Sequence, residues 1–317
     1  MDFRDLAVPI LQAPIGSVAT EDLAVAVSNA GAMGSLAMTW AEPQAAAAAV
    51  ARIKARTSAP FFVNFVLAFE PKAFDAVLDE GVPVVTLSWG HSADLIARAH
   101  AKNVSVGVQV GTVQGAQRAA RDGADFLICQ GVEAGGHVQS TTPLKTLLPS
   151  VVEQAAGLPV VATGGLADGG DLKWALDRGA SAAMLGTRFV ATLESQAHTQ
   201  YKRAIADASS TDTSFTVCFD GGWPNATHRV LRNSTLEQWE AAGCPPHGCR
   251  PGEEDVIARK PVGDDVLRYD DTPAMASLTG EAMDCALFAG LSVDKITDIP
   301  SASECVMRIW RECEFSD

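Results

Sequence analysis

The 317-residue chain lacks any run of about 18 uninterrupted apolar residues, the length that crosses a bilayer as a helix; its Ala-rich stretch at 44–50 soon meets Arg52 and Lys54. It is also short of positive charge, with 24 Lys and Arg against 38 Asp and Glu and a formal charge of −14. Such a surface repels phosphate backbones and anionic lipids, so neither a nucleic acid nor a membrane is an expected partner. The start has no basic segment followed by a long apolar one, so no secretory leader is expected. Seven cysteines are odd in number and scattered without a framework spacing, which points to a reduced cytoplasm. The sequons at Asn103, Asn225 and Asn233 are then chance matches. Also missing is a G-x-G-x-x-G after the first apolar run, where Gln12-Ala13-Pro14-Ile15-Gly16 stands instead. That absence argues against an open dinucleotide-binding sheet.

What the chain does have is a regular alternation. Short apolar runs stand at 8–12, 33–38, 61–66, 83–88, 104–110, 125–129, 158–162 and, most weakly, 182–185. Continuous apolarity of this kind suits strands buried on both faces of a parallel arrangement. Between them lie helical stretches with readable ends. Thr20 is a plausible N-cap and Gly31 a stop; further helices fit 43–54, 92–102, 112–122 and 168–178, the last three closed by Asn103, Gly123 and Gly179. Eight βα units closed by right-handed crossovers predict an α/β fold, a (β/α)8 TIM barrel with its site at the carboxyl ends of the strands.

After Val190 the regularity stops. Residues 209–273 are rich in Gly, Pro, Asp and Asn around a short helix at 236–242, and Trp223 and Trp239 fall within them. An irregular stretch of this length is expected to be a functional lid or small subdomain. Two helices are expected after it, at 275–289 and 301–313. The expected division is a barrel over 1–195, a lid over 196–275, and C-terminal helices over 276–317 that pack back on the barrel.

In such a barrel the working groups follow the strands. They are Ala13-Pro14-Ile15, Asn64, Ser88-Trp89-Gly90, Gln109, the run from Gln130 to His137, Thr163-Gly164-Gly165 and Gly186-Thr187. Glycine turns after the seventh and eighth strands are where these barrels hold phosphate. His137 closes the sixth-strand turn behind Gly135 and Gly136, open to approach, and imidazole there can act as a base or, protonated, hold an anion. His91 could line the pocket or sit at a helix start; the remaining histidines, His228 among them, read as structural or solvated. Cys129 reads as an inert core thiol among Leu127 and Ile128, and Glu133 has no assigned role. Cys244-Pro-Pro-His-Gly-Cys249 has zinc-ligand chemistry but no evident fourth ligand, and describes a rigid loop equally well.

The runs QGVEAGGH at 130–137, VATGGLADG at 161–169, MLGTRF at 184–189 and QAPI at 12–15 together resemble the nitronate monooxygenase family. FDGGWPNATHRVLRN at 219–233 is similar to C-terminal regions of its bacterial members. The resemblance implies non-covalent FMN in a TIM barrel. Ala13, Pro14 and Ile15 would lie against the flavin ring. Asn64, Gln109 and Gln130 would hydrogen-bond the flavin, with Gly135 in close contact. Gly164, Gly165, Met184, Leu185, Gly186 and Thr187 would cradle its phosphate, and His137 matches the active-site histidine. Two departures stand out: Val138-Gln139 after that histidine, and Leu291 where many relatives carry an amide. The implied activity is oxidation of a small nitronate or nitroalkane by molecular oxygen, in a chain whose partners are that substrate and oxygen, with a homodimer allowed. The sixth- and seventh-strand motifs are shared with flavin-dependent enoyl-acyl-carrier-protein reductases and certain NADH:quinone reductases. An NAD(P)H-dependent flavin reductase acting on a quinone or an enoyl thioester is therefore the alternative, and a catalytically idle flavin- or phosphate-binding protein a third reading.

Overall fold

The structure, a computed structural model, describes residue 3 and residues 6–315. The apolar runs become eight parallel strands: β1 (Ile10–Gln12), β2 (Gly34–Ala37), β3 (Phe61–Val66), β4 (Val84–Ser88), β5 (Ser105–Val110), β6 (Phe126–Gln130), β8 (Val160–Thr163) and β9 (Ala182–Leu185). The two-residue β7 (Gly136–His137) leaves the ring and belongs to a separate sheet. The ring follows chain order from β2 round to β9 and then β1. It closes between β1 and β2, where Gln12 N–H donates to the Met33 carbonyl at 2.9 Å and Met33 N–H to the Ile10 carbonyl at 3.0 Å. Side chains finish the seam: Gln12 Oε1 accepts from Ser35 N–H at 2.8 Å, and Ser35 Oγ donates to the Gln12 carbonyl at 2.8 Å. Both residues are fully buried, so a seam without these partners would leave polar groups unpaired.

Alternation along each strand divides the core into two layers. Leu11, Met33, Phe62, Val84, Phe126, Ile128, Val161, Ala182 and Met184 fill the barrel, with Phe3 edge-on to Phe126 at 5.1 Å. Val63, Phe65, Val85, Leu87, Leu127, Cys129, Ala162, Ala183 and Leu185 face the helices instead. Cys129 accordingly has its thiol pushed up to about 12 by burial, then by Glu133, and is inert.

The helices are α1 (Glu21–Asn29), α2 (Pro43–Lys54), α3 (Phe74–Asp79), α4 (Ala93–His100), α5 (Val113–Arg121), α6 (Leu144–Gln154), α7 (Gly169–Leu176), and α8 (Thr187–Val190). Thr20, Ser92, Thr112 and Asp168 each accept a backbone N–H from the first turn, as N-caps do. Beyond the barrel come α9 (Thr199–Asp207), β10 (Thr213–Thr216), β11 (His228–Leu231), α10 (Ser234–Ala241), β12 (Val256–Arg259), β13 (Asp265–Leu267), β14 (Thr279–Gly280) and α11 (Ala302–Glu314). They form two three-stranded sheets, β10-β11-β7 and β13-β12-β14, over small cores such as Cys218, Phe219, Val230, Leu236, Trp239 and Tyr269. The amphipathic α11, closed by a Ser301–Glu304 capping box, packs on α7 and α1. No described helix is long and apolar enough to cross a membrane.

The helix expected at 275–289 does not form. Gly280 takes φ +106 so that β14 can pair with β12, and a Cβ there would lie 2.7 Å from the Ile257 carbonyl. Ala286 and Phe288 are extended, bridging to Pro273 and Val230. Pairing with distant strands replaces the local helical bonds that the apolar spacing suggested.

Inside the barrel, Gly107 makes room for a neighbour, because a Cβ there would meet the Phe126 ring at 2.2 Å. Gly107→Ala should therefore destabilise by about 1–3 kcal/mol through overpacking. Adding Phe126→Leu should recover part of that loss. Chemical denaturation of the double-mutant cycle checks this; additive effects would show that the two residues do not compete for space.

Candidate active site

A cavity of about 470 Å3 opens at the carboxyl ends of the barrel strands, within the usual range of ligand pockets. Ala13, Pro14, Ile15, Asn64, Gln109, Gln130, Gly135, His137, Gly164, Gly165, Met184, Gly186 and Thr187 all line it. Leu185 is the exception and is absent from the lining. It follows the inward Met184 by one position, so its side chain packs in the outer layer. Its carbonyl still accepts from Ala13 N–H at 2.8 Å, fixing the first-strand loop.

The loop after β6 is built to hold His137. Gln130 Nε2 donates to the His137 carbonyl at 3.2 Å, and its Oε1 accepts from Gln139 N–H at 2.8 Å. One amide N–H and one lone pair of Gln130 thus serve its own loop. Next, β7 pairs antiparallel with β11, setting His137 opposite His228. Val138 N–H donates to the Thr227 carbonyl at 2.9 Å, and Thr227 Oγ1 donates back to the Val138 carbonyl at 2.8 Å.

The His137 ring sits among aromatics. Trp223 stacks on it at 4.3 Å, His228 and Phe288 lie at 5.5 Å, and Trp89 is edge-on at 6.3 Å. Its Nε2 is buried and has no hydrogen-bond partner. Burial first, then His228, push this imidazole down to about 3, so it is neutral near pH 7. His228 is fully buried behind it, with Nδ1 against the Ala226 carbonyl at 2.9 Å and Nε2 accepting from Phe219 N–H at 3.2 Å. Those partners fix one neutral tautomer, and burial pushes the ring down to about 4.

The glycine turns enclose the far side. Gly164 (φ +115) and Gly165 (φ +72) hold conformations that favour glycine, and a Cβ on Gly164 would stand 3.0 Å from the Gly131 carbonyl. Gly135 crosses Gly290 so closely that a Cβ would meet the Gly290 nitrogen at 2.3 Å. The crossing is clamped by Gly290 N–H donating to Thr187 Oγ1 and Leu291 N–H donating to the Glu133 carbonyl, both at 3.0 Å. Leu291 thus serves the crossing through its backbone N–H. The Glu133 carboxylate accepts from Leu144 N–H at 2.9 Å and caps α6, a structural role.

Several lining residues had not been anticipated: Trp40, Phe69, Lys260, Asp271 and Phe288. Asp271 is pushed up to about 6 by burial, then by Asp270. His91 is exposed and lies outside the lining. Cys244 and Cys249 are exposed free thiols, and among the described residues no three His, Cys, Asp or Glu side chains gather as a metal site.

The nitronate monooxygenase family model matches residues 1–75 and 69–312, nearly the whole chain. The chain belongs to this family. Its likenesses run in two directions. One relative, a (3aS,4S,5R,7aS)-5-hydroxy-7a-methyl-1-oxo-octahydro-1H-indene-4-carboxyl-CoA dehydrogenase of Mycobacterium tuberculosis, is 38% identical over 240 residues. That match covers 74% of this chain and 65% of the relative, a little under two-thirds of its length. A nitronate monooxygenase of Pseudomonas aeruginosa is 30% identical over 286 residues, covering 75% of this chain and 80% of the other. Among solved structures, nitroalkane oxidase from Streptomyces ansochromogenes superposes with a TM-score of 0.79 at 27% identity, over 98% of this chain and 97% of that one.

The buried His228 should make this nitronate monooxygenase family member acid-sensitive. Its folded value, about 4, lies below the ordinary 6.5, so between these values the unfolded chain binds the extra proton. Stability from this residue is full above about pH 6.5 and is lost as pH falls toward about 4. Between pH 7 and pH 5 the loss should be about 2 kcal/mol relative to His228→Gln, read by urea denaturation at each pH. Parallel pH slopes for the two proteins would contradict the assignment.

Proposed function

We propose that the chain oxidises small nitronates and their parent nitroalkanes with molecular oxygen, using FMN. The observation that carries this reading is the buried, unpartnered Nε2 of His137, on a ring that is packed among aromatics and lines the glycine-walled cavity. The residues present fit FMN. Ala13, Pro14 and Ile15 would face its ring, Asn64 and Gln109 and the remaining valences of Gln130 its polar edge and ribityl chain, with Gly135 close by. Gly164, Gly165, Met184, Gly186 and Thr187 would take the phosphate, and Gly164 and Gly165 hold positive φ with their backbone packed against Gly131 and Glu133. Bound there, FMN would supply two-electron oxidation and its own reoxidation by oxygen.

The protein's part is proton handling and exclusion of water. A neutral imidazole can accept the proton from the carbon beside a nitro group, giving its orphaned nitrogen a partner. The new imidazolium then faces the nitronate charge, which offsets the desolvation that otherwise holds it neutral. A preformed nitronate has already lost that proton and needs His137 only as a binding group. Residues 196–275 would act as the lid, since β11 and Trp223 hold His137 from that side. The free cysteines fit a reducing, cytoplasmic setting.

A second reading is a dehydrogenase or NAD(P)H-dependent reductase acting on a thioester or quinone, favoured by the 38% identity to a relative named as a carboxyl-CoA dehydrogenase. Anaerobic mixing separates the two: bleaching of bound flavin by nitronate and not by NADH or NADPH supports the first, and the reverse supports the second.

The purified protein should carry FMN, released on heating; release of FAD, or a protein that FMN cannot reconstitute, contradicts the cofactor assignment. His137→Asn should keep FMN but lower oxidation of neutral nitroalkanes by about 10²–10⁴-fold, the scale of a general base. Oxidation of preformed nitronate should fall much less. Equal collapse with both forms would mean an anion-binding histidine, and no change with either would remove it from the reaction.

A further inference from the structure

Trp40 is 59% exposed, yet it lies on the cavity wall and meets Phe69 edge-on at 5.2 Å. Phe69 meets Trp223 edge-on at 5.2 Å, and Trp223 contacts Trp89 at 4.7 Å and lies on His137 at 4.3 Å. These rings come from four separate segments, the loops after β2, β3 and β4 and the turn before β11. They include three of the chain's six tryptophans, and Phe69, Trp89 and Trp223 are each incompletely buried. Filling a core does not account for them, because a core would bury them. A contiguous exposed apolar surface that ends at a reactive group is the mark of a binding wall. The groups at Lys260, Asp271, Thr272 and Ser292 give the same cavity a polar side.

We propose that this aromatic wall sets substrate specificity, selecting a ring-bearing apolar body, aryl or alicyclic, whose charged head group lies toward His137. The head group rests on the function proposed above; the ring preference does not. These rings touch one another edge to face, so a ligand ring would lie against the exposed side of the wall, ring on ring or C–H edge on ring. A straight alkyl chain offers comparable apolar area but must freeze several rotors to lie along the wall.

Isothermal titration of the holoenzyme at a fixed pH with phenylacetate, cyclohexylacetate and octanoate tests this. All three are C8 carboxylates that do not react, and octanoate is the most hydrophobic, so burial alone would rank it first. Ring acids should bind about 3–10-fold more tightly than octanoate, a spread of the size aromatic contacts produce. Trp40→Ala and Phe69→Ala should weaken the ring acids more than octanoate, so that the ratio falls toward one, while the FMN content is kept. Preference for phenylacetate alone supports the proposal in its aryl form. Equal affinities, tighter octanoate, or variants that weaken all three acids alike would overturn it. If the ring preference holds and no nitronate is oxidised, the wall stands and the reaction reading falls. If aryl and alkyl nitronates are oxidised with equal kcat/KM, the wall falls and the reaction stands.

Discussion

The antiparallel pairing of Gly136–His137 with His228–Arg229 is the contact on which the rest of the site depends. The barrel delivers the loop after β6 to its rim, but nothing in a barrel alone would desolvate a histidine there. Hydrogen bonding that loop to β11 brings His228, Trp223 and Phe288 around the ring. The price is an imidazole held well away from its ordinary titration range. Backbone pairing and pKa shift are therefore one feature seen at two scales.

A second constraint is steric. The chain from Ala289 to Leu291 crosses Gly135 with no space for a side chain at either glycine, since a Cβ on Gly290 would lie 2.7 Å from the Glu133 carbonyl. This crossing brings the C-terminal segment against the turn after β6, and Thr187 of the β9 turn accepts its N–H. Two strand-end turns and the C-terminal segment are thereby locked to one another. Cofactor binding on such a surface would use preformed backbone geometry and incur little ordering cost.

Much of the barrel was legible because burial on both faces writes itself as unbroken apolarity, as in Phe61–Val66, and because caps such as Thr20 and Asp168 mark helix starts. The helix α6 was less visible, since Pro149 lies inside it. The segment 275–289 was misread because its apolar spacing suits a helix, whereas its partners β11 and β12 are remote in sequence. Strand-end reasoning located the cavity lining because topology turns a position in a strand into a place in space. At Leu185 the period of two, with Met184 inward, points the side chain outward and leaves only the backbone toward the cavity end of the strand. The aromatic wall had no local signature: Trp40, Phe69 and Trp89 sit in separate loops that only barrel closure brings together.

The fold places a histidine with a buried, unpartnered Nε2 in a cavity walled by glycine turns and aromatic rings, in a chain of the nitronate monooxygenase family. Its protonation state decides whether it can take a proton from a neutral substrate or would greet an anion already charged. NMR titration of the His137 imidazole in the holoenzyme measures this directly. The account predicts that the ring stays neutral down to about pH 4 in the free enzyme, in keeping with its folded value of about 3, and titrates higher once an anionic ligand such as phenylacetate is bound. A ring that titrates near its ordinary 6.5 without ligand, or is unmoved by the anion, would contradict it.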